Sequence, residues 1–168
     1  MRIGVFLHGT AIMHASAAGV EREERVRQVR RKDATVRDFT SYVPTPGAVA
    51  KLAAWQRHGA SITYLSSHRG EDDLRADESV IRRHGFTAGP VHGRQQGESY
   101  GSLVERLSLD VLIEDDCESI GGAVQTCAAQ LSPGSRASTR CILLPEFSGL
   151  AGLPDDPAEL RNLGEGPG

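Results

Sequence analysis

The sequence predicts an α/β domain of three layers, a parallel, Rossmann-like sheet with helices on both faces. Three observations carry this. Short apolar runs alternate with longer stretches of helical spacing, which is the pattern of strands joined by crossover helices. Each apolar run ends abruptly in polar or glycine-containing residues, as a buried parallel strand does on reaching the sheet edge. The length of 168 residues matches one domain, with no internal repeat and no linker to a second.

The first strand is Arg2–Leu7, closed by His8-Gly9-Thr10. Residues 11–44 form a small charged insertion. Within it Glu21, Glu23 and Glu24 precede Arg25, Arg27, Arg30, Arg31 and Lys32, an order that suits a helix dipole. Its apolar stripe is thin, Val26 and Val29 only, so an exposed helix or lid beside the core is expected. Pro44-Thr45-Pro46-Gly47 opens the next helix, with Thr45 as candidate N-cap and Pro46 in the first turn. Val49, Leu52, Ala53 and Trp55 follow at helical spacing, and Gly59 ends the run. Ser61–Leu65 reads as a strand that stops at Ser66-Ser67-His68-Arg69-Gly70. A helix is expected over 72–84, then a glycine-rich loop over 89–99 and a helix over Tyr100–Leu107. Asp110–Ile113 is a strand closed by Glu114-Asp115-Asp116. Ile120–Gln130 is expected as a helix and Cys141–Pro145 as the last strand. The domain is thus read as 1–153, with 154–168, rich in Pro, Gly and Asp, as a disordered tail.

Composition narrows the function. The net charge of −3 disfavours a general nucleic-acid binder, which needs excess Lys and Arg to neutralise phosphates. No stretch approaches the roughly 20 apolar residues of a membrane span, and the apolar start is too short for a signal-peptide core. A soluble cytoplasmic protein is expected; the composition sets no oligomeric state. Cys117, Cys127 and Cys141 form no CxxC pair and do not read as a disulfide framework or zinc site. Neither a Gly-x-x-x-x-Gly-Lys loop nor a Gly-x-Gly-x-x-Gly loop is present.

In parallel sheets ligands bind outside the carboxyl ends of the strands. Three such ends carry polar groups here: His8-Gly9-Thr10, Ser66-Ser67-His68-Arg69 and Glu114-Asp115-Asp116. These stretches, in this order, resemble the motifs of the haloacid dehalogenase-like superfamily, mostly Mg²⁺-dependent phosphatases. The family's Asp-x-Asp-Gly-Thr is matched by Phe6-Leu7-His8-Gly9-Thr10, its strand-ending Ser or Thr by Ser66, and its acid pair by the run that ends Asp115-Asp116. The resemblance covers residues 2–150 and implies that fold with a minimal cap.

Two departures alter the chemistry it implies. The family's nucleophilic Asp is Phe6, which can neither attack phosphorus nor bind a metal. Its acid/base Asp is His8, and imidazole can do that work near neutral pH. The basic third-motif residue has no lysine to supply it, since Lys32 and Lys51 are the only lysines; Arg94 or Arg69 would substitute. The resemblance therefore implies a non-standard hydrolase of a small anionic, phosphate-like substrate. It would have Mg²⁺ held weakly at Asp115 and Asp116, and His8 and Asp115 as catalytic residues. Thr10, Ser66, Ser67, Arg69 and Arg94 would contact substrate, and no aspartyl-phosphate would form. The alternative is a binding or regulatory protein that kept the pocket and lost the chemistry.

An α/β-hydrolase is the competing class. Gly97-Glu98-Ser99-Tyr100-Gly101 fits Gly-x-Ser-x-Gly. The preceding Arg94-Gln95-Gln96 is too polar for the strand that must launch a nucleophile elbow, and all six histidines precede Ser99.

Overall fold

The computed structural model describes residues 1–163. Five parallel strands form the central sheet: β1 (Arg2–Phe6), β4 (Ser61–Leu65), β5 (Val91–His92), β6 (Val111–Asp115) and β7 (Arg140–Leu144), in the order β5-β4-β1-β6-β7. A second, two-stranded sheet pairs β2 (Ile12–Met13) with β3 (Val43–Pro44) antiparallel at the two ends of the insertion. The α-helices among the described residues are α1 (Arg22–Arg30), α2 (Ala48–Arg57), α3 (Glu71–Arg83), α4 (Tyr100–Leu107) and α5 (Pro133–Ser138).

The period-two alternation of a strand sorts the core into two layers. Ile3, Val5 and Leu7 of the first strand run, Ile62 and Tyr64 of β4, and Val111 and Ile113 of β6 pack with Leu52 and Trp55 of α2 and Val80 and Ile81 of α3. The intervening Phe6, Leu65 and Leu112 face the other way, against Leu103 and Val104 of α4 with Cys127 and Leu131. Because the central strands β1 and β6 are buried on both faces, their outlet to a ligand is an end. β1 sits at the centre of the sheet, so the turn that leaves it is flanked by the ends of β4 and β6. No helix among the described residues is long and apolar enough to cross a membrane.

Four local expectations differ from the structure. The stretch 120–130 is not one helix but two short 3₁₀ turns, Ala123–Gln125 and Ala128–Gln130. Gly121 and Gly122 take φ of +130° and +80°, and Glu114 draws in the N–H groups of Cys127 and Ala128, which holds the chain out of a helical path. The segment after Pro154 is ordered to 163: Pro157–Asn162 forms a 3₁₀ turn, Leu160 is fully buried, and the Trp55 indole donates to the Pro154 carbonyl at 2.9 Å. The rest of the expected tail, 164–168, lies outside the described residues. Helix α2 starts from Gly47 in a left-handed conformation (φ +73°), and Thr45, instead of capping it, donates its hydroxyl to the Thr10 carbonyl at 2.6 Å. Helix α1 is pinned rather than free: Val26 is buried, Arg22 donates to the Glu146 carbonyl at 2.9 Å, and Arg25 to that of Phe147 at 2.7 Å.

Candidate active site at the carboxyl edge

Two polar clusters flank the turn that leaves β1, one on the β4 side and one on the β6 side.

The β4 cluster is built around Asp77, in the second turn of α3, whose side chain is 0% exposed. It accepts from His8 Nε2 at 3.1 Å on one oxygen, and from Ser66 Oγ at 2.5 Å and His68 Nδ1 at 3.0 Å on the other. Burial alone would raise its pKa; the hydrogen bonds from His68 and His8 outweigh that and hold the carboxyl well below the usual range. Burial likewise works against a charged His68, and the Asp77 bond and charge overcome it, so His68 is raised.

An ionised carboxylate only accepts, so both rings turn an N–H toward it. In a neutral His8 the remaining Nδ1 is then an acceptor, and the Ser67 hydroxyl donates to it at 3.0 Å. Phe39 and Tyr42 from the insertion fix the rings. The His8 ring lies 5.5 Å from Tyr42 and 4.5 Å from His68, and Phe39 stands 4.2 Å from His68.

The β6 cluster is acidic. Asp115, the last residue of β6, accepts from Thr10 Oγ1 at 2.7 Å and from the Cys117 N–H at 2.9 Å. Cys117 takes φ +54° to aim that N–H, a strained conformation of the kind functional loops hold. Gly9 is required here: a Cβ on it would stand 2.6 Å from Asp115 Oδ2. Asp116 accepts from the N–H groups of Glu118 and Glu146 at 3.2 and 3.1 Å. Glu146 accepts from the Ser119 N–H and hydroxyl, both at 2.7 Å. One oxygen each from Asp115, Asp116 and Glu146 lies within 4.8 Å of the others. Burial first, then neighbouring negative charge, raises Asp115 and pushes Glu146 up to about 7. Three hard oxygen donors crowded in this way fit a hard cation such as Mg²⁺.

Phe6 lies between the clusters on the opposite layer, edge-on to Tyr100 at 5.6 Å. The Arg94 guanidinium covers the other ring, 3.8 Å from the Tyr100 centroid, with its buried Nε unpartnered. Arg69 is exposed in the loop after β4.

The expected site residues therefore divide. His8, Ser66 and Ser67 meet in one cluster, Thr10, Asp115 and Asp116 in the other. The hydroxyls of Thr10 and Ser66 are both spent on carboxylates. Glu114 belongs to neither cluster: it points into the opposite layer, accepts from Cys127 and Ala128, and is pushed up to about 7 by burial. Ser99 caps α4, accepting from the Ser102 N–H at 3.0 Å. All three cysteines are free.

Sequence reasoning missed Asp77 and Glu146, and it placed His68 at a polar strand end without giving it a role. Asp77 carried a readable signal, since it lies three and four residues before Val80 and Ile81 on the apolar face of its helix. A carboxylate there must have buried partners.

No family model matches the sequence, and no curated protein matches it. Among solved structures the chain is similar to a class C acid phosphatase from Bacillus anthracis with tungstate bound, at 15% identity and a TM-score of 0.52, over 88% of this chain and 67% of that one. It also aligns with a HAD family hydrolase from Deinococcus radiodurans R1 with bound phosphate and sodium, at 16% identity and a TM-score of 0.49, over 98% of this chain and 88% of that one. The fold is the three-layer α/β architecture with a parallel sheet that the sequence predicts, and it is similar to that of the acid phosphatase.

Proposed function

We propose that this chain is a hydrolase of small anionic, phosphate-like esters in which His8 is the general base and no carboxylate carries a covalent intermediate. The observation that carries the reading is the tether of His8. One ring nitrogen is fixed on a buried carboxylate, leaving the other as an acceptor at the sheet edge, which is what a general base needs. Phe6 has no oxygen to phosphorylate, so the attacking group must come from elsewhere. Asp115 and Asp116, with Glu146 beside them, would hold Mg²⁺, which when bound would offset substrate charge. Asp115 contributes to the chemistry as the carboxylate that Thr10 and Cys117 orient. Arg94, Arg69 and Ser67 would meet the anion; Thr10 and Ser66 position Asp115 and Asp77. The tungstate-bound phosphatase of like fold supports an anion-binding edge without fixing a substrate.

The test is a panel of small phosphate esters with Mg²⁺, followed by released phosphate and by mass spectrometry after rapid quench. Phosphate release with no phosphoryl group on Asp115 or Asp116 is expected. A phosphoryl group on either acid refutes the reading. Anion binding with no release from any ester replaces it with a ligand-binding protein.

A further inference from the structure

We propose that Ser67 is the nucleophile of this site, activated by His8 and oriented through Asp77, and that it takes up the phosphoryl group of a small anionic ester before water does. The proposal rests on the reading of His8 as base and names the group that His8 deprotonates.

The geometry is that of a nucleophile, a base and an orienting acid in series. Ser67 Oγ stands 3.0 Å from His8 Nδ1, and His8 Nε2 stands 3.1 Å from Asp77 Oδ1. Asp77 fixes the direction of both bonds. Its carboxylate has no proton to give, so His8 Nε2 carries one, and in the neutral ring Nδ1 then accepts from the Ser67 hydroxyl. A base taking a proton from serine requires this arrangement. The two ring nitrogens exchange the roles they have in most serine triads, and the chain order His8, Ser67, Asp77 is unlike the order expected around Ser99. Such constellations are defined by geometry and roles, not by order. The aromatic rings around His8 keep it from swinging away from Ser67.

Ser66 next door cannot serve. It is 0% exposed, its hydroxyl is given to Asp77, and it accepts the His68 N–H at 3.0 Å. Ser67 is partly exposed, and no backbone or side-chain group among the described residues takes its N–H. That amide can therefore face negative charge developing on a group bound at Oγ, as preorganised donors do.

The step balances without a further reagent. The Ser67 Oγ–P bond forms as the P–O bond to the leaving alcohol breaks. The serine proton moves to His8 Nδ1 and from there to the departing alkoxide. Water then attacks phosphorus and gives its proton to Nδ1; the Oγ–P bond breaks, Nδ1 passes that proton to the departing Ser67 Oγ, and phosphate is released with serine and imidazole restored.

The experiment uses the full chain and a small fluorophosphonate, which places a tetrahedral phosphorus on an activated serine with loss of fluoride. One phosphonyl group per chain at Ser67 is expected by peptide mass spectrometry, with none on Ser67→Ala. Labelling should be about 10²–10⁴-fold slower in His8→Gln, the range general base catalysis typically supplies, and unchanged in Ser99→Ala. Asp77→Asn should lower the maximal labelling rate at unchanged half-saturating probe, a split that loss of stability alone does not produce. Labelling is read well below each variant's melting temperature. No adduct, an adduct on another residue, or an equal rate in His8→Gln overturns the proposal. Ester hydrolysis that needs His8 and survives Ser67→Ala also overturns it, yet leaves His8 as base acting on water.

Discussion

Replacing Asp77 with Asn tests the anchor of the β4 cluster. The wild-type carboxylate is fully buried and accepts three side-chain hydrogen bonds, from His8, His68 and Ser66. Hydrogen bonds to a charged group contribute about 1.5–3 kcal/mol each. Asn keeps one acceptor oxygen: placed where Oδ2 sits it keeps Ser66 and His68 and loses His8, and placed where Oδ1 sits it keeps His8 alone, so one or two of the three are lost. The expected cost is about 3–5 kcal/mol, the range for breaking a buried ionic contact from one side. In a domain of this size each kcal/mol moves the melting temperature by about 2–4 °C, so a drop of roughly 6–20 °C is expected.

The pH dependence is specific to this arrangement. Asp77 is depressed in the folded state, so its contribution is complete above the unfolded Asp value of about 3.9 and fades as pH falls below it. His68 is raised, so its contribution is complete below about 6.5 and fades as pH climbs through its folded value. The gap between wild type and Asp77→Asn should therefore be widest from about pH 4 to 6.5, in urea or thermal unfolding followed by circular dichroism. A gap under about 1 kcal/mol at pH 5.5, or one that keeps widening below pH 4, refutes the assignment of an ionised Asp77 between two histidines.

Three more outcomes rest on single contacts. Asp115→Asn should abolish a weak Mg²⁺ heat seen by titration calorimetry in wild type, and equal heats in both proteins would remove the metal from the β6 cluster. Gly9→Ala places a Cβ 2.6 Å from Asp115 Oδ2 at φ +88°. It should cost about 1–2 kcal/mol for the backbone alone and abolish the same Mg²⁺ heat; unchanged unfolding and unchanged heat would show that the Gly9–Asp115 contact is not rigid. Leu160→Ala should cost about 2–5 kcal/mol because that side chain is fully buried, whereas a loss below about 1 kcal/mol would show that Pro157–Asn162 adds nothing to the core.

The layers were legible because strands buried on both faces read as short continuous apolar runs, Ile3 to Leu7 among them, set between stretches of helical spacing. The convergence of His8, Ser67 and Asp115 on one edge was legible too, since parallel topology sends every strand end the same way. Partners across that edge were not. Asp77 comes from a helix, and nothing in the spacing of Ser66 to Asp77 states that the helix returns its second turn to the strand it left. The helix expected over 120–130 failed for a related reason. Ile120 and Val124 are spaced for one face, yet both are exposed, because Gly121 and Gly122 and the pull of Glu114 decide the path. The tail was misread from composition: Pro154, Asp155 and Asp156 look like linker, but the Trp55 indole and Leu160 supply the burial that holds them.

The most direct measurement is the hydrolysis rate of wild type, His8→Ala and Ser99→Ala on whichever phosphate ester the panel yields. Loss of His8 should slow turnover about 10²–10⁴-fold, the usual contribution of a general base, while Ser99→Ala should retain the wild-type rate. Full activity in His8→Ala, or activity abolished by Ser99→Ala alone, would contradict a site built on His8.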